Sequence, residues 1–262
     1  MAQALEPRYA QSPQLKAKTL SLRREDDKWK GLPNGPTGIG ATQSTLEAVD
    51  LGTLRMAFAI WAAISVVLAA FLGVFRPWHL RWGATYQEVT RQMPGDEIVL
   101  RPVFNATRAV TVNARPEEIW PWLVQIGFGR AGWYSYDLLD NLGRHSSERI
   151  LPEHQHLEPG DLVPLGPGEQ SGMWVKSSTP YESMVWWDRK RQASSWTWGL
   201  YPVDGQQTRL VTRVRNDYRK SVSALLFGLL VELADFPMMR QCMLGIKRRA
   251  EQQAGRALAE RP

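Results

Sequence analysis

The chain has 262 residues, 44% of them hydrophobic and 22% charged, which suits a globular protein with a sizeable core and is too long for a single small module. Its net charge of +6 comes from 32 Lys and Arg against 26 Asp and Glu with no long block of one sign, a balance compatible with an anionic membrane surface and offering nucleic acid little support. A lone cysteine, Cys242, excludes an intramolecular disulfide and a cysteine-based zinc site, whereas twelve tryptophans promise an aromatic interior whose indole N–H groups need partners.

Residues 1–53 carry four prolines and a Gly- and Pro-rich stretch at 31–40 with no sustained period, and read as a disordered tail. Residues 56–75, MAFAIWAAISVVLAAFLGVF, are twenty residues without a charge or proline between Arg55 and Arg76. At about 1.5 Å per residue they span the roughly 30 Å of bilayer hydrocarbon. Trp61 lies inside the run, and Trp78 and Trp82 follow it among Arg76, His79 and Arg81 as an interfacial belt would. A core helix of this length would show a polar stripe, so the run Met56 to Phe75 is predicted to cross a membrane. Arg76, Arg81 and Arg91 after it outnumber Arg55 before it, which favours a cytoplasmic C-terminal domain, although seven further Lys and Arg in the tail oppose that orientation.

The period then shifts to two. Residues 107–113 read as a strand, and Pro116-Glu-Glu starts a helix with proline in the first turn and acids at the positive end of the dipole. Strand character follows at 161–165, 172–178, 182–188, 194–203 and 208–216, with a hairpin signal at Asp204-Gly205, and a long helix closes the chain from about 223 to 259. This is an α+β order in which the last helix covers one face of an antiparallel sheet. Along 208–216, Leu210, Thr212 and Val214 share one face, and Arg209, Arg213 and Arg215 share the other, which is predicted to meet solvent. Trp196, Trp198 and Leu200 share the concave face, where they either pack as core or line a cavity. The divisions are a tail at 1–55, the transmembrane helix at 56–75, a connector at 76–99 and a ligand-binding domain at 100–262. Deleting residues 1–79 is expected to leave a folded, soluble domain.

Three segments carry words as well as periods. Residues 120–142, WPWLVQIGFGRAGWYSYDLLDNL, residues 233–251, LADFPMMRQCMLGIKRRAE, and residues 81–85, RWGAT, resemble stretches of the SRPBCC superfamily. The resemblance covers roughly 80–255 and implies the START-like helix-grip fold, a curved antiparallel sheet wrapped around a long C-terminal helix, here preceded by one transmembrane helix. It also implies a hydrophobic ligand held between sheet and helix, in some members with cyclisation or dehydration, and it transfers no catalytic residue.

Gly127-Phe-Gly129-Arg-Ala-Gly132 matches a dinucleotide fingerprint by letter, but it follows a helical segment and runs into Trp133 and Tyr134, so it reads as a turn. Tyr134, Ser135, Tyr136 and Asp137 either orient a substrate carbonyl or, with Ser135 as cap and Asp137 in the first turn, begin a helix over 136–142. His154 and His156 lie in a loop with Pro152, Pro159 and Gly160, so no metal is assigned there. The Lys247-Arg248-Arg249 triplet is solvated or meets anionic lipid, and 222–231, too short to span, belongs to the domain or to the interface. No GxSxG, HExxH or P-loop occurs, and no feature asks for a cofactor.

The candidate ligand contacts are Tyr134, Tyr136, Asp137, Met173, Trp196 and Trp198. The functional expectation is a membrane-anchored protein that binds or transfers a small hydrophobic molecule. The alternatives are a cyclase or dehydratase and a ligand-free scaffold for a protein partner; an interior with no void above roughly 300 Å³ would remove both ligand readings.

Overall fold

The computed structural model describes residues 50–168, 171–218 and 222–259. The expected tail lies outside them up to residue 49, and residues 51–55 are already helical. Helix α1, Leu51–Ala70, passes through a π-helical turn at Phe71–Phe75 into α2, Arg76–Leu80. Pro77 explains the turn. A proline lacks an N–H and crowds the carbonyl four residues back, and the ladder widens there so that the Arg76 N–H donates to the Phe71 carbonyl. The resulting thirty-residue helix is long and apolar enough to cross a membrane, and none of its most apolar stretch is buried against the protein.

The end of that helix is packed into the domain. Arg76 donates from Nε and Nη2 to both carboxylate oxygens of Glu232, each at 2.9 Å, and from Nη2 to the Val103 carbonyl at 3.2 Å. The Arg108 Nε donates to the His79 carbonyl at 3.0 Å. Phe236 meets the rings of Phe75, Trp78, His79 and Trp82 with centroids 5.2 to 6.4 Å away. A chain cut after residue 79 would therefore leave the buried Glu232 without its cation and uncover Phe236.

Among the described residues the sheet has six strands: β1 Phe104–Val112, β2 Leu162–Pro164, β3 Gly172–Thr179, β4 Ser183–Trp187, β5 Ser194–Pro202 and β6 Thr208–Asn216. Their order is β1-β6-β5-β4-β3-β2, every neighbouring pair antiparallel. Helix α3, Tyr86–Thr90, precedes β1 and is closed by a capping box between Thr85 and Glu88. Helix α4, Pro116–Val124, and the short α5, Asp137–Asp140, lie between β1 and β2, and α6 runs from Val222 to Ala259. Met239, Cys242, Met243, Ile246, Ala250 and Ala254 recur at helical spacing along α6 and meet Ala106, Val110, Met184, Trp186, Trp198 and Leu210 of the concave face in one core.

The convex face corrects the expectation that its arginines meet solvent. Residues 83–96 lie across it, because alternation assigns side chains to a face and leaves open what covers that face. Arg213 is 3% exposed. Its Nε donates to Thr107 Oγ1 at 2.8 Å, its Nη1 to the Arg91 carbonyl at 2.8 Å and Asp96 Oδ2 at 2.7 Å, and its Nη2 to the Glu88 and Val89 carbonyls at 2.8 and 2.9 Å. Arg215 pairs with the other Asp96 oxygen at 2.9 Å, and Arg209 engages both oxygens of Glu88 at 2.7 and 2.8 Å. Burial raises the Glu88 pKa, but Arg209 and the Thr85 amide outweigh it and hold the carboxyl below the usual range. Removing one partner of a buried ion pair costs about 3–5 kcal/mol. Asp96→Ala, which strips Arg213 and Arg215 together, should lower stability by about that amount in urea titrations followed by tryptophan fluorescence, with the slope unchanged.

Candidate functional site

The turn between α4 and α5 sets the site. Gly127, Gly129 and Gly132 hold φ values of 143°, 72° and 81°, and Gly127 and Gly132 exchange backbone hydrogen bonds of 3.2 Å, so the fingerprint-like stretch is a closed turn. Tyr134 follows in the left-handed region at φ 56°, a conformation that costs a tyrosine roughly 1–2 kcal/mol. Three hydrogen bonds hold it there. Its N–H donates to Ser146 Oγ at 3.0 Å, and its hydroxyl accepts from Gln125 Nε2 at 2.8 Å and donates to the Trp122 carbonyl at 3.2 Å. The Arg249 guanidinium lies 4.5 Å from its ring centroid. On α6, a Cβ at Gly245 would come within 2.2 Å of the Tyr134 carbonyl, so only glycine lets the helix approach this closely.

Four indoles fill the concave interior. Trp133 stacks on Trp196 with centroids 5.6 Å apart at 13°, Trp186 meets Trp196 edge-on at 5.1 Å, and Trp198 closes against Trp196 at 5.4 Å. The Trp196 N–H donates to Thr212 Oγ1 at 2.9 Å, whereas those of Trp186 and Trp198 reach no acceptor among the described residues.

Beyond Trp133 and Trp196 a groove of about 280 Å³ remains at the rim of the grip. Met238, Met239 and Cys242 of α6 form one wall, Leu139 and Leu142 a second, and Phe128 with residues 165–167 a third. Two carboxyl groups face it. Asp235 is bound to the buried Arg108 at 2.6 Å, but neither oxygen of Asp140 has a hydrogen-bond partner among the described residues. Ser135 lies beside Asp140, yet its hydroxyl donates to the Met238 carbonyl at 3.0 Å. Burial raises the Asp140 pKa above its ordinary 3.8, and the proximity of Ser135 only partly offsets this. Burial likewise pushes the Cys242 thiol far up, which makes it a poor nucleophile.

Of the six residues expected from sequence, Trp196 lines the groove, while Trp198 and Met173 lie behind it in the core. Tyr134 is buried with its hydroxyl turned to α4, and Tyr136 is exposed ahead of α5. Asp137 accepts from Ser146 Oγ and stands 3.4 Å from His145 Nδ1 in a separate polar hollow with Arg248 and Arg249. The basic triplet is engaged within the protein, Lys247 with Glu251, and Arg248 and Arg249 with Glu148. No group of three His, Cys, Asp or Glu side chains suited to a metal occurs among the described residues. Sequence reasoning missed Asp140 and Asp235; the signal available for Asp140 was an acid set between Leu139 and Leu142.

Depth separates the two β5 tryptophans. Trp198→Ala should cost about 3–5 kcal/mol of stability and leave apolar-probe binding at the groove unchanged, whereas Trp196→Ala should alter both, as read by denaturation and by dye titration. Asp140 yields a pH signature. Its folded-state pKa lies above the unfolded one, so its ionisation opposes folding; the penalty is absent at acid pH and grows as pH rises past the ordinary carboxylate range. Asp140→Asn should therefore raise the thermal midpoint at neutral pH, and the gain should fade as pH falls through the ordinary carboxylate value of 3.8 and vanish once both states are protonated.

No protein-family model and no curated protein matches the chain. Among solved structures it is similar to a polyketide-cyclase-like protein from Corynebacterium glutamicum, at 11% identity over 58% of this chain and 94% of that one, with a TM-score of 0.38. CalC, a self-sacrificing resistance protein from Micromonospora echinospora, is similar at 10% identity over 57% and 95%, with a TM-score of 0.32. StfQ, a di-domain ARO/CYC protein of the steffimycin biosynthetic pathway, is similar at 10% identity over 58% of this chain and 51% of that one, with a TM-score of 0.35. Likenesses at these TM-scores carry no argument of their own. By its own strand order, an antiparallel six-stranded sheet closed by the long α6, the chain has an α+β helix-grip fold.

Proposed function

We propose that the protein, tethered to a membrane by α1, binds or transfers a small hydrophobic molecule held in the rim groove. The observation that carries this reading is the pairing of apolar walls with one buried carboxyl that lacks a partner, the arrangement by which ligand pockets combine affinity with orientation. At about 280 Å³ the groove falls just under the roughly 300 Å³ below which the ligand readings were expected to fail, which counts toward the scaffold, and a molecule held there would be small. Asp140 would give it one fixed point, a hydrogen bond with an O–H or N–H group, once the rim relaxes to open carboxylate oxygens that are closed to solvent here.

The scaffold reading has an observation of its own, the filling of the deep interior by Trp133, Trp186, Trp196 and Trp198. A cyclase-type enzyme would rely on Asp140 as general acid, with the Tyr134 hydroxyl already committed to Gln125 and Trp122. Native mass spectrometry of detergent-extracted protein discriminates. A copurified small mass, absent from a Met238→Trp variant that fills the groove, supports binding; an unliganded mass together with no apolar-dye binding leaves the scaffold. A copurified molecule recovered chemically altered after incubation would point to the enzyme.

A further inference from the structure

Outside the apolar helix, a cluster of large exposed apolar side chains lies beside the groove, while others, such as Tyr86, Leu100, Tyr181 and Val203, stand elsewhere. Leu138, Leu139 and Leu142 are 78%, 70% and 63% exposed, and Leu165 completes that rim. On α6, Leu230, Val231 and Leu233 are also exposed. Monomeric proteins seldom leave such clusters uncovered in water.

Position indicates what covers them. Phe75, the last residue of the apolar run, packs on Phe236, and Arg76 is fixed to Glu232. Asp235, Met238 and Met239, in the same turns of α6, line the groove. The groove thus opens within about two helical turns of the point where the apolar helix would leave the hydrocarbon, and side-chain contacts join the two without a free linker. Exposed cations stand where headgroups would be. Arg240 lies over the Trp82 ring at 5.2 Å, Arg81 follows α2, and Arg144 follows Leu142.

We infer that the groove rim and the first half of α6 rest in the bilayer interface, so that Leu138, Leu139, Leu142, Leu230 and Leu233 insert among the acyl chains and the groove opens toward lipid. The inference rests on the membrane-anchor and ligand readings. It adds a route, because an apolar molecule would pass between hydrocarbon and groove without entering water.

The test uses the full chain in phosphatidylcholine and phosphatidylglycerol vesicles, with single cysteines labelled by an environment-sensitive fluorophore. Cys242 is buried and leaves the added sites as the accessible thiols. Ile64→Cys reports the anchor, Leu138→Cys and Leu233→Cys report the rim, and Val203→Cys, in the β5–β6 turn, is the control. The expected result is a blue shift and loss of emission to nitroxide-labelled lipid at Ile64, Leu138 and Leu233, with none at Val203. Quenching at Ile64 alone overturns the docking and leaves the anchor intact; quenching at none of the sites overturns the anchor and the docking with it. Rim labels that are shielded in detergent in a concentration-dependent way, yet unreached by lipid quencher, identify a second copy as the cover and also overturn the docking. In a second arm, Leu138→Glu with Leu233→Glu should slow transfer of an apolar dye from vesicle to protein while leaving its equilibrium binding in detergent unchanged. Unchanged transfer overturns the proposed route.

Discussion

Burying a guanidinium costs least when all five of its N–H groups find acceptors, and Arg213 meets that condition through the chain that precedes the sheet. Four of its five acceptors, the carbonyls of Glu88, Val89 and Arg91 and the Asp96 carboxylate, belong to residues 88–96. One cation on a central strand therefore draws a whole segment onto the convex face. That segment runs from the end of α2 to the start of β1, so the arginine also limits where the apolar helix can join the domain. Arg76 and Phe236 then fix the join itself.

The concave face obeys a different constraint, that of volume. Indoles are large and rigid, and four of them brought together by β4, β5 and the α4–α5 turn leave little room beneath α6. The helix still comes close at one point, where Gly245 admits the Tyr134 carbonyl and Arg249 covers the tyrosine ring. With the interior filled and the helix pinned, unfilled space survives at the rim. There the short α5 and the loop after β2 do not reach α6, and Asp140 is left facing apolar atoms.

Much of this architecture was legible in the residues. Period two located the strands, Pro116 started α4, and the run over 56–75 announced the apolar helix. Trp196 and Trp198 do share the concave face, but their depth depends on Trp186 of the neighbouring β4 and on Trp133, which arrives from the distant α4–α5 turn. The fate of the arginine face was hidden for the same reason: a strand pattern reports which side chains lie together and carries no record of a segment folded across them. The helix began five residues before the expected Met56, because Leu51 to Arg55 can continue a ladder whatever their polarity. Asp140 was unreadable as a site residue, since its distinction is the lack of a partner, which is a property of the assembled rim.

The π turn carries the apolar helix into α2 without a break. Thirty residues at about 1.5 Å each reach about 45 Å, of which a bilayer crossing uses about 30 Å, and the remainder is locked to the sheet and α6. Transmembrane helices meet a thinner bilayer by tilting, and a flexible linker would absorb that motion. Here the Arg76–Glu232 pair and the rings around Phe236 take the place of such a linker at the end of the helix. On the proposed membrane reading, a tilt of the helix would be felt first at those contacts, beside the turns of α6 that line the groove.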